Sequence, residues 1–496
     1  MKSINDFIKS EGSQFPGKTY VEELLKPVFN DQRDYLFDVM FDIHRAHVIM
    51  LSEQKIIPIT EARKMLVGIN KIAKTDYQSL TYQPEYEDLF FMMEAKIGEE
   101  IGPELAGKIH IGRSRNDMGV AMYRLVLREH LVTTIENAYR LSEVLLFQAD
   151  QHLETYMTGY THTQPAQPTT LGHYLLAIYD VLQRDIKRLE SAYQTVNQSP
   201  LGAAALTTTG FPISRERTCE LLGFDQVIEN SYDSIAGADY LLETSTALIT
   251  LMVNTGRWIQ DFLQHVTREF GSFLVADPYV QVSSIMPQKR NPVSIEHSRS
   301  IASSAYGEAL AAINMIHNTP FGDIVDTEDD LQPHLYRAFN NANRVLKLMY
   351  AVITTLSVNK DHMKKMTETT CITITELADT LAREHHVPFR KAHQIASYLS
   401  RETIKAKMEL KDWKIRDINH MIKEFGDIML TSEQWERIIS PEYFVQIRKI
   451  QGGPNPEEVR RMIQNRKVDW KTRINGLQQI KEQLSIKKEQ LVNYPL

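Results

Sequence analysis

Apolar residues spaced three and four apart constrain the fold of this chain more than any other feature of its sequence. Such spacing predicts amphipathic helices that pack side by side in a bundle. Long runs of the two-residue alternation that is typical of strands are scarce. The sequence therefore predicts an all-α fold built on long helices. The clearest stripe consists of Leu171, Leu175, Ile178, Leu182, Ile186, Leu189, Tyr193 and Val196.

Two further segments of the sequence predict closely packed helices, and the positions of the loops predict domain boundaries. Residues 247–253 are apolar on nearly every side, which predicts a helix surrounded by other helices, some of them from another subunit. Residues 301–316 are rich in alanine, which favours helix. Loops rich in glycine and proline suggest three helical domains, at residues 1–109, 110–359 and 360–496.

Composition excludes several classes of function. The formal charge of −7 and the lack of a long basic run argue against a nucleic-acid partner. No run of about 18 apolar residues predicts a membrane span, and the first residues do not form a signal peptide. Cys219 and Cys371 are too few for a disulfide framework or a thiolate metal site. We therefore expect a cytoplasmic protein without a metal.

The first segment with chemical potential is residues 112–117, before a predicted helix. It combines the guanidiniums of Arg113 and Arg115 with the hydroxyl of Ser114 and the amide of Asn116. Backbone N–H groups and the helix dipole add to these donors, which predicts a site for a carboxylate or phosphate. The alternative is a capped helix start with solvated arginines.

The second segment is residues 159–168, in which two prolines suppress helix and hold Thr161 and His162 on a rigid turn. A histidine can exchange protons near neutral pH. Taken alone, His162 is also consistent with an ordinary polar residue.

The third segment, residues 282–292, holds paired serines, a lysine and an asparagine between two prolines, and Glu296 follows in the next predicted helix. A hydroxyl beside a fixed cation suits removal of a proton from a carbon next to a carboxylate. Lys289 and Asn291 can stabilise the negative charge that then spreads onto the carboxylate oxygens. Ser283 is the candidate base.

Residues 283–292 match the signature Ser-Ser-x-Met-Pro-x-Lys-x-Asn-Pro of the fumarase and aspartase superfamily. Within it, residues 110–117, 158–168, 199–203, 230–233 and 387–393 resemble the argininosuccinate lyase family. The resemblance covers nearly the full chain and is weakest before Pro84.

This resemblance implies a homotetramer with a central 20-helix core, in which three subunits contribute to each active site. It implies that the bond between carbon and nitrogen is broken by anti elimination, which releases fumarate and, from argininosuccinate, arginine. No metal or organic cofactor is implied. Ser283 matches the base, His162 assists on the acid side with Glu296 as its charge partner, and Lys289 stabilises the carbanion. The residues that match binding positions for the succinyl carboxylates are Ser114, Arg115, Asn116, Thr161, Lys289 and Asn291.

Departures from the family pattern fall in three places. Val282 replaces a glycine before the paired serines, and Phe90 replaces a histidine. In the segment that holds the amino-acid end of arginine, Asp323, Glu328 and Leu331 stand where the family has tyrosine, glutamine and lysine. Acids in place of a lysine would repel an α-carboxylate and favour a more cationic amine. The alternative is that the alignment slips here, or that other residues bind the amine.

Two rival functions follow. One is a related lyase that acts on a different N-succinyl amine, such as one of the ethylenediamine-disuccinate type. The other is a non-catalytic structural tetramer like the crystallin relatives of this family. The signatures of adenylosuccinate lyase and aspartase fit less well.

Overall fold

The computed structural model describes residues 3–496, and helices dominate it from end to end. This confirms the all-α prediction. The helices are α1 (Ile4–Glu11), α2 (Lys18–Tyr20), α3 (Lys26–Glu53), α4 (Ile59–Ile72), α5 (Leu89–Ile101), α6 (Pro103–Lys108), α7 (Arg115–Gln151), α8 (Leu171–Val196), α9 (Arg215–Leu221), α10 (Ser231–Ala236), α11 (Asp239–His265), α12 (Val293–Ile316), α13 (Gln332–Thr355), α14 (Lys360–Thr367), α15 (Ile374–Glu384), α16 (Phe389–Ala406), α17 (Ile415–Ile422), α18 (Ser432–Ile439), α19 (Pro441–Gln446) and α20 (Pro456–Val492).

Short strands and single turns of other helix types lie between these elements. A π-helical turn, Val21–Leu25, joins α2 to α3. The strands form four two-stranded pairs: β1 (Tyr156–Thr161) with β2 (Gln164–Thr170), β3 (Gln198–Ser199) with β4 (Gln226–Val227), β5 (Phe273–Leu274) with β8 (Ser357–Val358), and β6 (Gln281–Val282) with β7 (Arg290–Asn291).

Helices α7, α8, α11, α12 and α13 form the central bundle, in which the chain runs up and down. Arg124, near the start of α7, donates to the carbonyl of Thr195 at the end of α8 at 2.8 Å. Asn341 of α13 donates to Ser304 of α12 at 3.2 Å. The loops therefore alternate between two ends. The Arg115 end holds the start of α7, residues 197–238 and the loop 317–331. The Ser283 end holds the β1–β2 hairpin and the loop 266–292.

Helix α11 only partly meets the expectation of a helix surrounded on all sides. Leu248 and Leu251 are fully buried by neighbouring bundle helices, whereas the side chain of Val253 is 48% exposed. The described helices therefore leave the outer face of α11 exposed. The sequence predicted that another subunit supplies part of the packing around this helix.

One large apolar core joins the N-terminal helices to the bundle, and a smaller core lies among α15 to α18. The long helix α20 returns from the small core along α7, where the indole N–H of Trp470 donates to the carbonyl of Tyr139 at 3.1 Å. Its far end reaches α3, where the hydroxyl of Tyr494 donates to Glu53 at 2.6 Å. Within residues 3–496, none of the helices combines the length and apolar character needed to cross a bilayer.

Candidate active site

The residues predicted for the active site fall into two groups at opposite ends of the bundle. A helix rises 1.5 Å per residue, so the 37 residues of α7 span about 55 Å and the 24 residues of α12 about 36 Å. The two groups therefore cannot meet within one chain. The Arg115 end carries Ser114, Arg115, Asn116, Asp323 and Glu328. The Ser283 end carries Thr161, His162, Ser283, Lys289, Asn291 and Glu296.

At the Arg115 end, Ser114 caps helix α7, which is what the alternative interpretation of this segment expected. Its hydroxyl accepts from the backbone N–H of Asn116 (3.3 Å), and its own N–H donates to the carboxylate of Asp117 (3.0 Å). The other carboxylate oxygen of Asp117 accepts from the N–H groups of Gly202 and Ala204 at 2.9 and 3.0 Å. Asp117 is fully buried and so fastens residues 202–204 to the start of the helix.

Arg113 corrects the expectation that two guanidiniums serve the anion site. Its side chain is buried, and it donates to Nδ1 of His44 at 3.0 Å. Burial, followed by the charge of Arg113, lowers the pKa of His44 well below its usual value, which leaves a neutral ring able to accept this bond. The ring of Phe90 lies beside both residues, 5.8 Å from the guanidinium carbon. Of the two guanidiniums, only that of Arg115 is left partly exposed, with 44% of its side chain accessible.

A cavity of about 300 Å³ opens beside Arg115. The guanidinium of Arg115 pairs with Asp88 at 3.1 Å and Glu87 at 3.6 Å. Across the cavity, the amide of Asn116 donates to Asp323 at 2.8 Å. Acidic side chains thus outnumber basic ones around this space. Its acidic lining residues are Glu87, Asp88, Asp323, Glu328, Asp329 and Asp330.

The loop that carries these acids is held firmly at one point. Asp329 accepts from the hydroxyl of Tyr123 at 3.1 Å and from the amide of Gln32 at 3.2 Å. Beside it, burial, helped by the neighbouring carboxyl of Asp323, raises the pKa of Glu328 to about 8. Glu328 therefore keeps its proton at neutral pH while the cavity holds no cation.

Replacing Glu328 with glutamine tests this protonation. Between pH 4.5, its ordinary pKa, and about pH 8, the unfolded chain ionises at Glu328 while the folded chain does not. The stability of the wild type therefore falls as pH rises through this window, and a neutral amide removes the loss. We expect Glu328→Gln to raise Tm by a few degrees at pH 8 and to leave it unchanged at pH 4, measured by calorimetry. An equal Tm difference at both pH values would contradict the assignment.

At the Ser283 end, His162 and Thr163 form the two-residue tip of the β1–β2 hairpin. Both have positive φ, at 50° and 63°, as the tightest hairpin turns require. Thr161 pairs with Gln164 at the last step of the ladder. The tip is exposed, so His162 projects away from its own chain. Within residues 3–496 it forms no hydrogen bond with Glu296.

The Ser283 loop is closed by a short sheet, in which Val282 pairs with Arg290 and Gln281 with Asn291. The side chain of Arg290 fixes the β6–β7 end of this loop, because it pairs with Asp277 and donates to the carbonyl of Val275 at 2.8 Å. Val282 is extended and exposed, so the position does not require glycine.

The hydroxyl of Ser283 accepts from two backbone N–H groups, those of Ile285 at 3.3 Å and Met286 at 3.1 Å. Donors of this kind stabilise a serine oxygen as it loses its proton. Lys289 and Ile285, the latter 85% exposed, project outward from the same loop. The exposed loop therefore carries the Ser283 hydroxyl with its two N–H donors, the cation of Lys289 and the apolar side chain of Ile285.

Sequence reasoning missed three residues that shape the Arg115 end: Asp117, Tyr123 and Asp329. Tyr123 lies eight residues after Arg115, so helical spacing places it on the same face of α7, and that signal could have been used. Asp329 gave no comparable signal, because its partners lie far away in the sequence. Asp117 is the third residue of α7 and completes a capping box with Ser114, a local pattern that could have been used.

Comparison with known proteins identifies the family. Residues 46–307 match the family model for lyases, and residues 371–446 match the model for the argininosuccinate lyase C-terminal region. The chain is 39% identical to argininosuccinate lyase 2 of Agrobacterium fabrum over 91% of this chain and 90% of that protein. It is 36% identical to argininosuccinate lyase of Methanocaldococcus jannaschii over 87% and 88%.

Among solved structures, EDDS lyase in complex with formate superposes with a TM-score of 0.85 at 29% identity, covering 98% of this chain and 96% of that one. The 3-carboxy-cis,cis-muconate lactonizing enzyme of Pseudomonas putida shares the fold, with a TM-score of 0.70 at 17% identity over 90% and 98%. The two family models and the extent of identity lead to one conclusion: the chain belongs to the argininosuccinate lyase family.

Proposed function

We propose that this chain is a carbon–nitrogen lyase that eliminates fumarate from an N-substituted aspartate, as in the conversion of argininosuccinate to arginine and fumarate. The observation that carries the proposal is the hydroxyl of Ser283, held by two backbone N–H donors in the loop that also bears Lys289 and Asn291. A base with a cation and an amide beside it suits the removal of a proton next to a carboxylate.

In the proposed reaction, Ser283 takes a proton from the CH₂ carbon of the succinyl part, which lies next to one carboxylate and is bonded to the carbon that bears the nitrogen. The electron pair left behind spreads onto the carboxylate oxygens, where Lys289 and Asn291 stabilise it. The pair then forms the double bond of fumarate as the bond between carbon and nitrogen breaks. His162, with Glu296 as its charge partner, assists protonation of the departing nitrogen.

We also propose that the active protein is a homotetramer. The two halves of the site lie tens of ångströms apart in one chain, so the Arg115 end of one subunit must meet the Ser283 end of others. A groove of about 750 Å³ along α8, α11 and α12 supports this, because exposed apolar side chains such as Val253 and Tyr306 line it. Ser114, Arg115, Asn116 and Thr161 then bind the succinyl carboxylates. A cytoplasmic location fits such an enzyme.

A second candidate is a lyase of the same chemistry that acts on a different amine. The acids Asp323 and Glu328 in the cavity favour it, and the structural similarity to EDDS lyase is consistent with it. Both candidates release fumarate and differ only in the amine that leaves. A crystallin-like structural role accounts for neither the donors at Ser283 nor the cavity.

The experiment that tests the proposal follows fumarate by its ultraviolet absorption while the purified protein is incubated with argininosuccinate and other N-substituted aspartates. We expect fumarate and the free amine to appear in equal amounts from at least one of them. Aspartate without a substituent serves as the control. An intact oligomer that releases no fumarate from any of these compounds would support the structural role instead.

A further inference from the structure

We propose that the cavity beside Arg115 selects a leaving amine that carries a positive charge, and no carboxylate, at the end remote from the bond that breaks. The preferred class of substrate is then the N-succinyl derivative of a diamine or of an aminoalkylguanidine. This inference rests on the proposed function and narrows the substrate of that same site.

The first support is that separate departures from the family pattern converge in space. Phe90, Asp323 and Glu328 come from two distant segments, yet all three line the one cavity. Leu331, which the resemblance places at the position of the family's lysine, is fully buried and offers no charge to a ligand. The two acids that the resemblance places at the amine end therefore share one cavity with Phe90.

The second support is the balance of charge. Among residues 3–496, Arg115 is the one cation that lines the cavity, and Asp88 and Glu87 already pair with it. A substrate carboxylate placed beside Asp323 would meet a like charge, whereas an ammonium or guanidinium group would pair with Asp323 and favour loss of the proton from Glu328. Repulsion of a carboxylate and attraction of a cationic group therefore favour the same class of substrate.

The third support is the shape of the lining. The cavity has both an acidic wall and an apolar one, which suits an alkyl arm that ends in a cation. Its volume of about 300 Å³ equals that of about ten water molecules, enough for a short arm of this kind. The apolar wall is formed by Leu36, Met40, Met118 and Met122.

A matched pair of substrates tests the inference. Argininosuccinate is compared with its decarboxylated counterpart, which lacks only the α-carboxylate of the arginine part, by measuring kcat/KM for fumarate release from each. We expect the decarboxylated compound to be preferred by at least about tenfold, or about 1.4 kcal/mol. Equal rates, or a preference for argininosuccinate, would overturn this inference and leave the lyase function intact. Absence of fumarate from both would count against the lyase function itself.

Two variants test whether the residues that line the cavity cause the preference for the decarboxylated substrate. Glu328→Gln removes one acid from the wall, and we expect it to lower the preference several-fold, mainly through KM for the decarboxylated compound. Asp326→Asn is the matched control, because Asp326 is an exposed acid of the same loop that does not line the cavity. The ratio of two substrates on one variant cancels any loss of folded protein. A ratio unchanged in Glu328→Gln, or lowered equally in Asp326→Asn, would contradict the role of the cavity.

Discussion

Replacing Ser283 with alanine is expected to lower kcat for fumarate release by about 10²- to 10⁴-fold, the range typical of a lost general base. The methyl group cannot accept the substrate proton, and the N–H groups of Ile285 and Met286 lose the oxygen to which they donate. KM should change far less, because the proposed carboxylate-binding groups remain. Steady-state kinetics on the substrate that the wild type cleaves fastest give both values.

Ser284→Ala provides the matched control for this loss. Ser284 lies next to Ser283 on the same exposed loop, but its hydroxyl is given no part in the proposed reaction. Its kcat should stay within about tenfold of the wild type, a change of about 1.4 kcal/mol in the barrier. If Ser283→Ala retained comparable activity, another group would have to be the base.

The long helices could be predicted because their periodicity is local. Leu171, the first residue of the predicted apolar stripe, is also the first residue of α8. The β1–β2 hairpin was expected only as a rigid turn, because Pro165 and Pro168 indicate a fixed backbone without helix and give no signal for strand pairing. An isolated two-stranded ladder tolerates prolines where no partner needs their N–H groups, so the segment pairs despite them.

The active site was predictable only in its separate pieces. The motifs around Ser114, His162 and Ser283 are contiguous in sequence, so their residues could be identified from the sequence alone. The burial of Arg113 against His44 and the convergence of Phe90 with Asp323 depend on how distant segments pack. No local pattern encodes such packing. The positions of the two halves at opposite ends of the bundle follow from the order and direction of the helices.

The central claim is that each active site joins the Arg115 end of one subunit to the Ser283 end of another. The Arg115→Ala and Ser283→Ala variants are each expected to be inactive alone. When the two are co-expressed and form mixed oligomers, some sites should contain both an intact Arg115 and an intact Ser283, so activity should return. Random assembly leaves both halves intact in about one site in four, so we expect about a quarter of the wild-type rate.

The control for this measurement is co-expression of Ser283→Ala with Lys289→Ala. Both changes lie in the same loop, so no mixed oligomer can contain an intact loop and activity should stay at the level of the single variants. The decisive measurement is the rate of fumarate release by purified mixed oligomers of Arg115→Ala and Ser283→Ala. Recovery to about a quarter of the wild-type rate is the predicted result, and mixed oligomers as inactive as either variant alone would contradict a site shared between subunits.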